Sequence, residues 1–238
     1  MTASTADLSS STLDFRLAEA EGDGGVSFTS RTLVVAGWAG RDRESVQAHI
    51  RELEALGVKP PRRTPLFYKL APSLLTTAAT IQVVGEASSG EVEAVVLRSE
   101  DQLWVGVGSD HTDRKLEVVG VTISKQVCAK PIGVALWRFE DVEPHWDELE
   151  LRSYVHVDGA RRLYQQGSVS TLHSPSDLVA RFRQEGGAFE PGSAMFCGTV
   201  PVHGEFQYAD QFEIELHDPV LGRTLSHRYR VDILPIQD

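Results

Sequence analysis

The 238-residue chain holds only two cysteines, Cys128 and Cys197. Two thiols cannot build a disulfide framework or a four-cysteine zinc site, and their scarcity points to a reducing cytosol. No apolar run approaches the roughly 18 residues that a membrane-crossing helix needs. The opening MTASTADLSSS lacks the basic-then-apolar pattern of a secretory signal. Positive charge is in deficit, with 23 Lys+Arg against 34 Asp+Glu and a net charge of -11. That balance disfavours nucleic acid and anionic membranes, whose phosphates are bound by dense cationic surface. No Gly-x-Ser-x-Gly elbow occurs, which argues against a serine hydrolase of that type. Gly106-x-Gly108 lacks a third glycine and a following helix, so no nucleotide loop is expected. Strands and helices do not alternate, and a doubly wound sheet is disfavoured.

What the chain does have is 41% hydrophobic residues, enough for one large domain or one with a small appendage. Residues 1–11 read as a loose tail and 20–25 as a turn. A strand is expected at 31–36. Asp42 can cap a helix over 43–56 that Gly57 closes, with Val46, Ile50, Leu53 and Leu56 as its buried stripe. Pro60, Pro61 and Pro65 suggest a boundary, giving a small N-terminal α+β unit at 12–64 and a larger unit at 65–238. In the larger unit strands dominate, at 81–84, 92–97, 103–107, 117–123, 154–157, 211–216 and 224–234. One helix is expected at 176–184.

The most informative stretch is Gly90-Glu91-Val92-Glu93, followed by an apolar run. On a strand, residues i and i+2 point to the same side, which puts the two acids about 7 Å apart at Cα. Like charges at that spacing repel unless a cation lies between them, and carboxylate oxygens suit a hard divalent ion. A solvent-facing strand would accommodate the same pair without an ion. Asp110 follows the next strand and could present a third carboxylate; alone it reads as a turn aspartate. Lys125, at the end of the expected strand 117–123, is either solvated or able to steady a negative oxygen.

In order, these segments resemble the fumarylacetoacetate hydrolase family. Glu91-Val92-Glu93 is similar to its Glu-x-Glu strand, Asp110-His111-Thr112-Asp113-Arg114 to its Asp-x-Thr-Ala-Arg segment, and Ser124-Lys125-Gln126 to its lysine turn. Pro65-Leu66-Phe67-Tyr68-Lys69, Gln165-Gln166-Gly167-Ser168-Val169-Ser170 and Cys197-Gly198-Thr199 resemble further family elements. The resemblance runs from about residue 31 to 232. Asp113, Lys115, Val169 and Val200 depart from the pattern, and the short spacing from Glu93 to Asp110 implies a trimmed loop.

The resemblance implies a mainly β, α+β protein: a fumarylacetoacetase-like mixed β-sandwich roll preceded by the small N-terminal unit. It implies Mg2+ or Mn2+ on Glu91, Glu93 and Asp110, a small 2-oxo acid substrate, and a homodimer. Gln165, Ser170, Thr199 and His111 would bind that substrate. His49 and Glu52 resemble the dyad of the family's lid helix; as i and i+3 they share a helix face, so Glu52 could orient His49 as a general base. The bland alternative for His49 is a core histidine beside Val46 and Ile50. The implied reaction is cleavage of a carbon–carbon bond in an acylpyruvate-type substrate through a metal-stabilised enolate, with Lys125 steadying the developing oxyanion. Decarboxylation, isomerisation, dehydration and plain anion binding stay open.

Overall fold

A computed structural model describes residues 10–18, 24–55, 57–100, 102–157 and 159–237. The expected tail and the 20–25 turn lie mostly outside these residues. In chain order the strands are β1 (Thr12–Leu17), β2 (Gly25–Thr29), β3 (Thr32–Gly37), β4 (Leu66–Leu70), β5 (Leu75–Thr76), β6 (Thr80–Val84), β7 (Ser88–Ser89), β8 (Val92–Ser99), β9 (Gln102–Ser109), β10 (Thr112–Asp113), β11 (Lys130–Pro131), β12 (Ala135–Arg138), β13 (Glu150–Val157), β14 (Ala160–Ser168), β15 (Ser193–Thr199), β16 (Gln211–Asp218) and β17 (Arg223–Leu234). The α-helices are α1 (Arg43–Ala55), α2 (Arg114–Glu117), α3 (Val121–Gln126), α4 (Phe139–Val142) and α5 (Pro175–Gln184). None is long and apolar enough to cross a membrane.

An eight-stranded mixed sheet runs β2-β1-β12-β9-β8-β15-β3-β4, and a five-stranded sheet runs β14-β13-β16-β17-β6. The strands before residue 64 belong to the larger sheet: β3 pairs parallel to β15, and β1 parallel to β12. Residues 12–64 therefore share a sheet with the segment that follows them.

The central strand β8 explains the layering. Its Val-Glu-Ala-Val-Val-Leu run is buried on both faces, as expected of a strand covered on two sides. Ala94 and Val96 pack against Leu151, Ile214 and Leu216 of the smaller sheet. Val95 and Leu97 point the other way, into a second core with Leu33, Val35, Tyr68 and Ile132, around which the large sheet curls. Side chains alternate along a strand, so Glu91 and Glu93 share the side of Val95 and Leu97. The acids thus sit at the mouth of the curled sheet because the apolar run behind them fills its interior.

Helix α1 begins as expected: Asp42 accepts the N–H of Ser45 at 2.9 Å, and Gly57 follows the helix with φ 91°. Val46 and Ile50 are buried and Leu53 half-buried, while Leu56 lies outside the described residues. The expected strand at 117–123 is instead helical. Asp113 caps α2 by accepting the N–H of Leu116 at 3.0 Å, and α3 starts after Gly120. Val118, Val119 and Ile123 are exposed, so the β-branched run that suggested a strand has no sheet to join. Lys125 accordingly sits in the last turn of α3.

Candidate metal centre and its pocket

Strands β8 and β9 form an antiparallel hairpin in which Val92 faces Ser109. The ladder continues one step further, because the Asp110 N–H donates to the Glu91 carbonyl at 2.9 Å. Glu91 and Asp110 are thus cross-strand neighbours, and Glu93 lies two residues along on the same side. Carboxylate oxygens of Glu91, Glu93 and Asp110 all lie within 4.8 Å of one another. The tight hairpin turn after Ser99 accounts for the short spacing between Glu93 and Asp110. Glu93 is 2% exposed and Asp110 fully buried, which rules out a solvated acidic strand face.

Three cations surround the acids. Lys125 Nζ donates to Asp110 Oδ2 and lies 3.7 Å from Glu91. Lys130, wholly buried, places Nζ 3.2 Å from Asp110 Oδ1 and also donates to the carbonyls of His111, Lys125 and Cys128. Arg114 bridges Glu91 at 3.1 Å and Glu117 at 3.2 Å, with its guanidinium over the Phe206 ring.

These contacts split the acids electrostatically. Burial pushes Glu93 well above the usual carboxylate range, and repulsion from Asp110 adds to it. Among the described residues, its Oε2 accepts only the Gly198 N–H, at 2.7 Å. Burial would raise Asp110 too, but Lys125 and Lys130 hold it below its ordinary value. Burial also raises Glu117. The cluster is an all-oxygen set with one poorly compensated buried carboxylate, and that donor chemistry fits a hard divalent ion such as Mg2+ or Mn2+.

A cavity of about 250 Å³ opens onto the three acids. Lys125, Glu117, Thr199 and His49 also line it, as do Trp38, Val46, Leu53 and Tyr68. Trp38 holds its wall position at φ 58° and donates its indole N–H to the Tyr68 hydroxyl at 3.1 Å.

The expected dyad is present on α1, with His49 Nδ1 3.5 Å from Glu52 Oε2 and both side chains more than half exposed. His49 faces the cavity beside the Trp38 ring, so it is no core histidine. The residues expected to bind substrate are divided between the cavity lining and the core. His111 is fully buried outside the cavity lining, with Nδ1 3.0 Å from the Tyr229 hydroxyl and Nε2 2.9 Å from Ser88. Burial and the nearby cations Lys130 and Arg114 lower it to about 3, so it is neutral. Gln165 is also fully buried and spends its amide on Val92, Ser153, Thr199 and Val200. Ser170 hydrogen-bonds Ser168 at 2.8 Å and does not line the cavity. Thr199 does line it, although its hydroxyl donates to the Val92 carbonyl at 2.8 Å. Sequence reasoning gave no role to Arg114, Glu117 or Lys130. Arg114 and Glu117 are three residues apart, a signal that reading the segment as a helix would have exposed.

The curled sheet, the stacked smaller sheet and the acid cluster at the mouth define a protein with the fumarylacetoacetate hydrolase fold. A Yersinia pestis protein assigned to the fumarylacetoacetate hydrolase family superposes with a TM-score of 0.66 at 16% identity, covering 92% of this chain and 100% of that one. A fumarylpyruvate hydrolase from Pseudomonas aeruginosa, solved with Mn2+ and pyruvate, gives 0.58 at 18% identity over 98% and 100% of the two chains. A 2-keto-3-deoxyarabinonate dehydratase gives 0.61 at 14% identity over 90% and 79%. No curated protein sequence matches the chain. Residues 36–229 match the family described as "Protein of unknown function (DUF2848)", and the chain belongs to that family.

Proposed function

We propose that the protein is a divalent-metal-dependent enzyme that cleaves a carbon–carbon bond in a 2-oxo acid of the acylpyruvate type. The carrying observation is the buried Glu91, Glu93 and Asp110 cluster opening onto a small cavity with Lys125 at its edge. Mg2+ or Mn2+ held by those three carboxylates would chelate the 2-oxo acid and accept negative charge that develops as the bond breaks. Around it, Lys125 supplies a fixed ammonium for an oxygen that gains charge. Its attraction to Asp110 and Glu91 outweighs burial and keeps it protonated. His49, oriented by Glu52, takes a proton from the attacking water. Trp38 and the buried face of α1 wall the cavity and limit stray water. The fold neighbours, which include a hydrolase solved with Mn2+ and a dehydratase, support this reaction family.

A panel of acylpyruvates, assayed with and without chelator, tests the proposal. Turnover that vanishes with EDTA and returns with Mg2+ or Mn2+ is expected, and Glu91→Gln should lose nearly all of it. Chelator-resistant turnover would defeat the metal role. A second reading rests on the exposure of His49 and Glu52. A dyad left in solvent need take no part in the chemistry, which suits decarboxylation, isomerisation or dehydration, where no water is activated for attack. His49→Ala with undiminished rate on a 2-oxo acid would favour that reading.

A further inference from the structure

We infer that the substrate carries a single carboxylate and that its distal arm is uncharged and apolar. The inference rests on the 2-oxo acid reading above and narrows it. Four carboxylates line the cavity, Glu91, Glu93, Asp110 and Glu117, against one ammonium, Lys125. Lys125 is already engaged by Asp110 and Glu91. Arg114 is shared by Glu91 and Glu117, is covered by Phe206, and does not line the cavity. Lys130 is sealed beneath Asp110. Arg41, at the foot of α1, is clamped by both oxygens of Asp147 at 2.8 and 2.6 Å.

Among the described residues, then, no lining Lys or Arg is available for a second anionic group, and His49, the lining imidazole, is taken up as the base of the proposed reaction. A divalent ion would offset part of the lining charge and leave room for one substrate carboxylate. A second would meet Glu117 and no counter-charge, and an unpaired charge in a confined site is strongly disfavoured. Most of the remaining wall is apolar, with Trp38, Val46, Leu53, Val58, Val121 and the Tyr68 ring, although His49, Thr199, Ser45 and Thr171 also face the cavity. That surface gains by covering alkyl or aryl carbon.

The test is calorimetric titration of the Mn2+-loaded full chain with phenylpyruvate and with 2-oxoglutarate. Phenylpyruvate should bind at least about tenfold more tightly. Leu53→Arg, which places a cation on the apolar wall, should shift the ratio toward 2-oxoglutarate by roughly tenfold. Val121→Arg, on the separate helix α3, is the second variant should the first not fold. Equal or tighter wild-type binding of 2-oxoglutarate overturns the inference, as does binding of neither acid. Turnover separates this outcome from that of the proposed reaction. If benzoylpyruvate and fumarylpyruvate are cleaved with equal kcat/KM, the preference falls and the reaction class stands. If phenylpyruvate is preferred but no acylpyruvate is cleaved, the reaction class falls and the preference stands.

Discussion

The side-chain oxygen of Gln165 accepts the backbone N–H of Val92 at 3.0 Å, on the residue between the two acids Glu91 and Glu93. The same amide donates to the Thr199 hydroxyl at 2.9 Å, and that hydroxyl donates to the Val92 carbonyl at 2.8 Å. Both polar groups of the Val92 backbone are thus held from one fully buried side chain and its neighbour. Gln165→Leu should strand several buried partners and cost about 2–4 kcal/mol. Melting in denaturant reads that loss. Mn2+ affinity, read by electron paramagnetic resonance at a temperature where the variant is folded, should fall by at least about tenfold as the spacing of the acids loosens.

Glu93 and Asp110 should respond in opposite ways to losing their charge. Glu93 is the carboxylate that burial and Asp110 leave uncompensated. Glu93→Gln should raise the stability of the metal-free protein by about 1–2 kcal/mol while abolishing tight Mn2+ binding. Asp110→Asn removes the counter-charge of Lys125 and Lys130 and should destabilise by about 3–5 kcal/mol. Parallel urea titrations of the two metal-free variants check the signs; destabilisation of similar size in both would contradict this account.

Gly198 works at the same spot through its backbone. It has φ 96° and gives its N–H to Glu93, and a Cβ there would lie 2.8 Å from the Ala39 Cβ. Gly198→Ala should cost about 2–4 kcal/mol and weaken Mn2+ binding, because strain and clash both act where Glu93 is held. Thermal melts and metal titration read the two effects.

On the outer face of the smaller sheet, Glu213 collects Arg161, Arg228 and His156. Burial opposes its ionisation, but these three hydrogen-bonding partners win and lower it to about 2. A lowered carboxylate stabilises the fold at pH values above its unfolded value, 4.5, and that contribution disappears as pH falls toward 2. Glu213→Gln should therefore flatten the loss of stability between pH 4.5 and 2 and change little on the alkaline side. Solvent screening keeps the effect to about 1 kcal/mol. Urea midpoints across that range for both proteins provide the measurement.

Alternation along a strand makes the Glu91 and Glu93 pair legible, whereas Asp110 joins them in the sequence only through the family resemblance. The register that sets Asp110 opposite Glu91 comes from the β8–β9 hairpin. Other features depended on distant partners. Strand β1 escaped notice because it pairs Arg16 with Ala135, far along the chain, and its own sequence offers only a short alternation. Val118, Val119, Val121 and Ile123 suggest a strand, yet Asp113 caps one helix and a second begins after Gly120. That misreading hid the Arg114–Glu117 pair, which exists only at helical spacing. The resemblance assigns Gln165 to substrate, and no local pattern shows that its side chain is buried against Val92, Ser153 and Thr199. The acid cluster also hides Lys130, whose partners are mostly backbone carbonyls.

The Trp38 loop and α1 supply much of the apolar wall, while the three carboxylates come from one hairpin distant from them in the chain. The oxygen donors and much of the apolar wall are thereby carried on separate segments, although α1 also bears His49 and Glu52. Exchanging the apolar residues of α1, with His49 and Glu52 kept, can retune which molecules are accepted without disturbing the oxygen donors, so a library confined to Val46 and Leu53 offers a direct route to altered substrate range.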